Sequence, residues 1–355
     1  MFHPYMLGLK TPSHIYKEAH AGTYVAMRLK GDDLVNHDLD SRLERESEWT
    51  RKFSTVVAVN EMFRENVLNG KIVVTNNSQE KHMNIHNAKK VMKSAVQKET
   101  LKHWNKVVKK LTFQEDFIAL LVKEQSNITW QSICNNIPKG VLSFALKASV
   151  NGLNTPDNLK RWGKRALDKC QLCGNYGNLE HILNWCSVGL NQGRTKWRHN
   201  SVLSHMVGEM LLGKPNEVTI FADLPGHQIN GGSIPADILT TAQRPDIVVI
   251  NRNSKSISLL ELSISFEKNI ESANRRKSSL YLNLTEDLRQ NGWVTDCVPF
   301  EIGSRGYISK RNKKSIFDTL KTHTIKIKKS KLLKDLSKIS LLCSFTLFQA
   351  HCQPE

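Results

Sequence analysis

Cys170, Cys173, His181 and Cys186 stand in a C-x2-C-x7-H-x4-C spacing. Zinc favours four tetrahedral ligands drawn from thiolates and imidazoles, and a two-residue gap lets one tight turn present two thiolates to one ion. Gly174 and Gly177 suit such a turn, and His181 and Cys186 can close the site from a following turn of helix. Four protein ligands leave no open position. The expected Zn2+ is therefore structural, holding together a segment too short to fold without it. The rival reading, an incidental or redox cysteine pair with His181 on a helix surface, does not account for the second half of the motif.

Downstream lie Arg244-Pro245-Asp246 and Glu261. Metal-assisted phosphodiester hydrolysis needs carboxylates to hold Mg2+, a water activated by the ion, and a cation to offset developing charge. Asp246 opens the β-branched run Ile247 to Ile250, and after a turn-like Asn251 to Ser254 the segment Ser256 to Phe266 alternates as a second strand, so a hairpin is expected. Leu259, Glu261, Ser263 and Ser265 would share one face, and Leu260, Leu262, Ile264 and Phe266 the other. An acid within so apolar a strand needs a reason. In a familiar nuclease pattern a lysine follows the second acid by two residues, but Ser263 holds that place. A helix expected from Lys268 to Asn291, stopping at Gly292, puts Ile270, Ala273, Lys277, Leu280, Tyr281, Leu284 and Leu288 on one stripe, which turns Lys277 inward one turn from Tyr281. Lys268 is a competing cation, Glu209 a further candidate acid, and Arg244 a candidate phosphate contact. The bland alternative makes Glu261 an edge-strand charge and Lys277 part of the surface run Arg275-Arg276-Lys277.

These candidates sit in a chain of 355 residues, long enough for two or three domains and for a core without disulfides. Lys and Arg number 51 against 33 Asp and Glu, a net charge of +18 that favours polyanionic partners. DNA is the expected partner and RNA a second candidate. Seven cysteines, an odd number, fit a reducing compartment better than a secreted one. The N-terminus MFHPYMLGLK does not read as a signal peptide, and no window approaches the roughly 18 apolar residues of a spanning helix. An intracellular, nuclear chain without a membrane partner is expected.

The expected class is α+β. Residues 1–154 read as a helical region, with strands only at Thr55 to Val59 and Lys71 to Thr75. Within it, a lysine-rich helix is expected between Lys89 and Lys110, and a helical pair between Phe113 and Leu153 breaks at Pro138. Residues 155–200 form the zinc knuckle, entered by a short helix capped at Thr155-Pro156-Asp157. Just beyond the cysteines, Arg194, Lys196, Trp197, Arg198 and His199 mix charge with an aromatic face, suited to phosphate contact and base stacking. Residues 201–310 form the α/β domain: a helix over Ser201 to Leu212, loops from Pro215 to Pro235, the hairpin, the long helix and a strand over Val294 to Phe300. Residues 311–355 are expected to be a basic connector and a terminal packing helix.

At Cys170-x2-Cys173-x7-His181-x4-Cys186, Arg198-His199-Asn200, Arg244-Pro245-Asp246, Glu261, Lys277 and Tyr281, the chain resembles the C-terminal part of the polyprotein of non-LTR retrotransposons that carry a restriction-like endonuclease. The resemblance covers roughly Trp130 to Tyr307. It implies a zinc knuckle joined to a PD-(D/E)xK-type nuclease whose lysine has moved to a helix and which nicks target DNA to prime reverse transcription. On that pattern Asp246 and Glu261 become Mg2+ ligands, Lys277 the catalytic cation and Tyr281 an accessory residue. The Tyr-x-Asp-Asp core of the associated polymerase is missing, so residues 1–154 would be a remnant downstream of a polymerase in a truncated copy, with no reverse transcriptase activity. The chief alternative is a non-catalytic nucleic-acid-binding remnant.

Overall fold

The computed structural model describes residues 136–229 and 232–352, the strands β1 (Ile72–Asn76) and β2 (Gln79–Met83), and positions 86, 87, 90, 93, 94, 106 and 117. The chain divides into two units, over His3–Leu111 and Thr112–Glu355. In the first, β1 pairs with β2 antiparallel, Asn76 opposite Gln79; β-branched residues favour this extended backbone. The strand expected at Thr55 to Val59 lies outside the described residues; of the lysine-rich helix between Lys89 and Lys110 only positions 90, 93, 94 and 106 are described, and of the first half of the helical pair, before position 136, only Phe117, all of them helical.

In the second unit α1 (Lys139–Ser149) begins after Pro138, and α2 (Pro156–Arg161) takes its proline in the first turn, where a missing N–H costs nothing. The cysteine segment leads to α3 (Ser187–Asn191) and α4 (Arg194–Gly213). A four-stranded mixed sheet follows, in the order β3 (Val218–Ala222), β4 (Ile247–Asn251), β5 (Ser256–Ser265), β6 (Val294–Gly303). The β4–β5 hairpin turns where Asn251 Oδ1 accepts hydrogen bonds from the backbone N–H of Asn253 and Ser254, the side-chain turn that Asn favours. From β5 the chain crosses through α5 (Ile270–Leu280) and α6 (Leu282–Gln290) to β6, which runs parallel to β5. Finally α7 (Lys310–Thr322) and α8 (Lys329–Cys352) return to the sheet. No helix among the described residues is long and apolar enough to cross a membrane.

Both faces of the sheet are covered, as the alternation in β5 requires. Leu260 and Leu262 join Val202 and Met206 of α4, Ile316 of α7, and Leu332 and Leu336 of α8 in one core. Ile257 and Leu259 face the other way and pack with Tyr281, Leu284 and Leu288. Each such side chain contributes about 1.5–3 kcal/mol through burial, so the sheet is held from both sides.

Three expectations need correction. The single helix over Lys268 to Asn291 is a 3-10 turn (Glu267–Asn269) and two helices, broken at Tyr281, whose backbone leaves the helical region at φ −110°, ψ 18°. The break lets Tyr281 point into the core beneath the sheet. The loop from Pro215 to Pro235 contains β3, which pairs with β4 along its whole length; the flanking prolines and glycines hid five residues of edge strand. The expected terminal packing helix is present, but the basic stretch before it is helical rather than a connector. The tail is α7 and α8, and the lysines of α8 hide a buried stripe of Leu332, Leu336, Ser340, Cys343 and Leu347.

The turn after β6 is held by Arg305, whose Nε donates to Glu267 Oε2 at 2.7 Å and whose backbone N–H donates to Oε1 at 2.7 Å. Its guanidinium lies over the rings of Phe117 and Phe266, at 3.9 and 4.4 Å, a stacked arrangement that Arg suits.

Candidate active site and metal centre

The metal centre is built from two turns. Gly174 N–H closes the first onto Cys170 O, with Gly174 at φ +75°, and so brings Cys170 and Cys173 to one side. Gly177 lies so close to Pro156 that a Cβ would meet the ring at 2.7 Å. The second turn is π-helical, His181–Trp185, with Cys186 N–H bonded to His181 O at 2.8 Å. This wider turn presents His181 and Cys186, five residues apart, to the same point. The four ligand atoms all lie within 4.8 Å of one another. Cys170 Sγ and Cys186 Sγ are 4.0 Å apart, and Cys173 Sγ is 3.1 Å from His181 Nε2. Two thiolates on a tetrahedral zinc stand about 3.8 Å apart, given bonds of about 2.3 Å. The cluster therefore fits a metal ion such as zinc. Burial lowers the pKa of His181, favouring the neutral ligating imidazole, and pushes the Cys170 thiol up to about 11, so a cation is what would hold it as thiolate. His351, from the last turn of α8, sets Nε2 3.4 Å from Cys170 Sγ.

The second constellation lies where β4 and β5 meet α4 and α5. Asp246 immediately precedes β4, and its Oδ2 accepts from Leu262 N–H at 2.8 Å. Glu261, on β5, returns the contact: its Oε1 accepts from Asp246 N–H at 2.9 Å. Each acid is thus fixed by the other's strand. Lys277 of α5 donates from Nζ to Glu261 Oε2 at 2.5 Å, and the Tyr281 hydroxyl donates to Arg244 O at 3.0 Å. From α4, His199 Nε2 reaches Asp246 Oδ2 at 3.2 Å, while its Nδ1 faces Asn200 Oδ1 at 3.1 Å. Both imidazole nitrogens face acceptors, so the imidazolium, a donor at both, satisfies the arrangement.

The electrostatics drive the two acids apart. Burial presses on the Asp246 carboxyl, but the hydrogen bond and charge of His199, with Lys277, outweigh it and hold the group below the usual carboxylate range. Glu261 goes the other way. Burial and then the neighbouring Asp246 charge raise it, against the pull of Lys277. Burial also opposes the charge on His199, yet Asp246 wins and raises its pKa. Paired carboxylates with diverging affinities for a proton are a common mark of acid–base and metal sites.

No family model matches the chain, and no curated protein matches it. The geometry alone must therefore sort the sequence-selected residues. Asp246, Glu261, Lys277 and Tyr281 come together. Lys268 does not join them: it pairs with Glu180 at 2.5 Å. Glu209 is also elsewhere, bound to Lys331 at 2.7 Å. Arg194, Lys196 and Trp197 lie on the first turn of α4, with Lys196 and Trp197 exposed, and Arg244 is exposed beside Asp223. Arg198 requires correction as a nucleic-acid contact. It is 1% exposed and donates to Ser344 Oγ at 3.0 Å and Ile264 O at 3.4 Å, so it ties α4 to α8 and β5; burial lowers its pKa to about 10. His199, grouped with the surface charges by its neighbours, is the residue that sequence reasoning misplaced. Its signal was its position on the stripe with Val202, Leu203 and Met206, the buried face of α4.

Proposed function

We propose that the chain is a Mg2+-dependent DNA endonuclease that nicks target DNA, the activity implied by its resemblance to the restriction-like endonucleases of non-LTR retrotransposons, with a structural zinc knuckle beside the cutting site. One observation carries this reading: Asp246, Glu261 and Lys277, from two strands and the crossover helix, converge within hydrogen-bonding reach. A divalent ion held by Asp246 and Glu261 would supply a bound water of lowered pKa and polarise the phosphate. Asp246 is suited to the ion because it stays ionised and uses Oδ2 for both its protein donors, which leaves Oδ1. Lys277 favours the ionised form of Glu261 against burial and the Asp246 charge, and sets an amine where negative charge would build on the phosphate. Tyr281 and the backbone of Arg244 brace the strand end that carries Asp246.

Nicking of supercoiled plasmid by the zinc-loaded chain, with and without added Mg2+, tests the proposal. The expected result is Mg2+-dependent nicking that Asp246→Ala abolishes. Wild-type protein that retards DNA but never cuts it would overturn the reading. A specific observation favours the non-catalytic alternative in that event: Lys277 and His199 already balance the two acids without an ion. Zinc knuckle and basic surface would then serve binding alone.

A further inference from the structure

A cleft of about 320 Å³ opens beside the acid constellation. Its walls include Trp185 from the π-helical turn of the cysteine cluster, Leu190 from α3, Lys196 and His199 from α4, Ser265 from β5, and Arg276 and Lys277 from α5. We infer that this cleft is a subsite for one unpaired nucleotide, whose base stacks on Trp185 while Lys196 and Arg276 take the flanking phosphates. The inference rests on the nuclease reading for the position of the cut, since His199 and Lys277 are the groups that touch Asp246 and Glu261.

Size decides the class of ligand first. The volume is at the lower end of the roughly 300–1,000 Å³ typical of small-molecule sites. A single nucleotide fits such a space, and a duplex with its bases stacked does not enter it. Enzymes that act inside a groove of this kind take single strands or turn a nucleotide out of the helix.

The lining then decides its chemistry. Trp185 is 57% exposed, whereas Cys186 after it is buried and Asn184 before it donates to Ile264 O at 2.9 Å, so its backbone is anchored while its indole stands open. An aromatic ring on a rigid support is a stacking platform for any base. Lys196 and Arg276 are exposed, and among the described residues neither is in an ion pair, which leaves both charges for phosphate. The metal centre thereby acquires a role beyond its own fold, because the turn that carries two of its ligands also carries the platform.

The test uses full-length, zinc-loaded Asp246→Asn protein, which binds without cutting, with a short oligothymidylate and a blunt hairpin duplex as probes. The oligothymidylate is expected to quench tryptophan fluorescence and to bind about tenfold more weakly once Trp185→Ala is added, a loss in the range of one stacked base. Duplex affinity is expected to change less than twofold, Trp185→Phe to restore most of the loss, and zinc content to stay at one per chain. Equal losses on both probes, or none on either, overturn the subsite. If Trp185→Ala sheds zinc, Lys196→Ala with Arg276→Ala takes its place. This pair is expected to lower the salt slope of oligothymidylate binding by about 1.4, and an unchanged slope overturns the proposal. Absence of nicking by wild-type protein would leave this binding result standing. Nicking combined with binding indifferent to Trp185 would sink the subsite and spare the nuclease.

Discussion

Lys277 Nζ lies 2.5 Å from Glu261 Oε2, an ion pair between the crossover helix and the inner strand in which the carboxylate is almost wholly buried and the amine only partly so. The strand fixes the acid and the helix delivers the cation. Moving α5 along its axis by one residue would separate them, so the pair reports on how the crossover is seated as well as on chemistry.

On the proposed nuclease reading, replacing Lys277 by Ala is expected to lower nicking about 10²- to 10³-fold, the scale of losing one preorganised charge at a reacting phosphate. Quantified plasmid conversion checks this, alongside a thermal melt to confirm folding. Full activity in a folded Lys277→Ala protein would remove the lysine from the mechanism.

His199 and Asp246 predict a pH dependence of stability. The His199 pKa is raised above 6.5, so its contribution is full below pH 6.5 and fades as pH rises through the raised value. The Asp246 pKa is held below 3.8, so its contribution is present above pH 3.8 and is lost as pH falls through the lowered value. The pair therefore stabilises most between pH 3.8 and 6.5. Denaturant midpoints of wild type and His199→Gln should differ most between pH 3.8 and 6.5 and draw together as the pH rises through the raised His199 value. A gap that widens with pH would contradict the assignment.

Arg198→Ala should cost about 2–4 kcal/mol of stability, because it empties a fully buried site, takes the guanidinium donor from Ser344 Oγ and leaves Ile264 O to Asn184 alone. Urea unfolding measures the loss. The salt dependence of DNA binding should not change, whereas Lys196→Ala should reduce its slope by about one. A slope change in Arg198→Ala alone would return that residue to the surface.

Cys186→Ala should remove a ligand from a four-ligand set and with it most of the bound zinc. Elemental analysis of the purified variant, expected to fall well below one zinc per chain, is the direct check. Its melting temperature should drop as well, since metal binding energy at such a site is folding energy.

The hairpin that carries both acids was legible because β-branched residues and strict alternation speak directly of strands, and a two-sided sheet leaves no other place for Leu259 and Leu260. The ligand spacing was legible too, since only short gaps allow two turns to meet. What sequence could not show was orientation. Arg198 and His199 are neighbours in a basic run, and only the packing of α4 turns the first into the core and the second toward Asp246. The break at Tyr281 carries no proline or glycine; it follows from tertiary packing, which helix periodicity cannot express. β3 was lost for a related reason, being an edge strand held by its pairing with β4.

His351 meets Cys170 from the last turn of α8, 181 residues further along the chain. All four candidate ligands lie from Cys170 to Cys186, so a chain stopped before His351 would still carry the complete set. It would, however, lack the imidazole beside the first sulfur, and oxidants would gain access to a cysteine that the intact helix helps to bury.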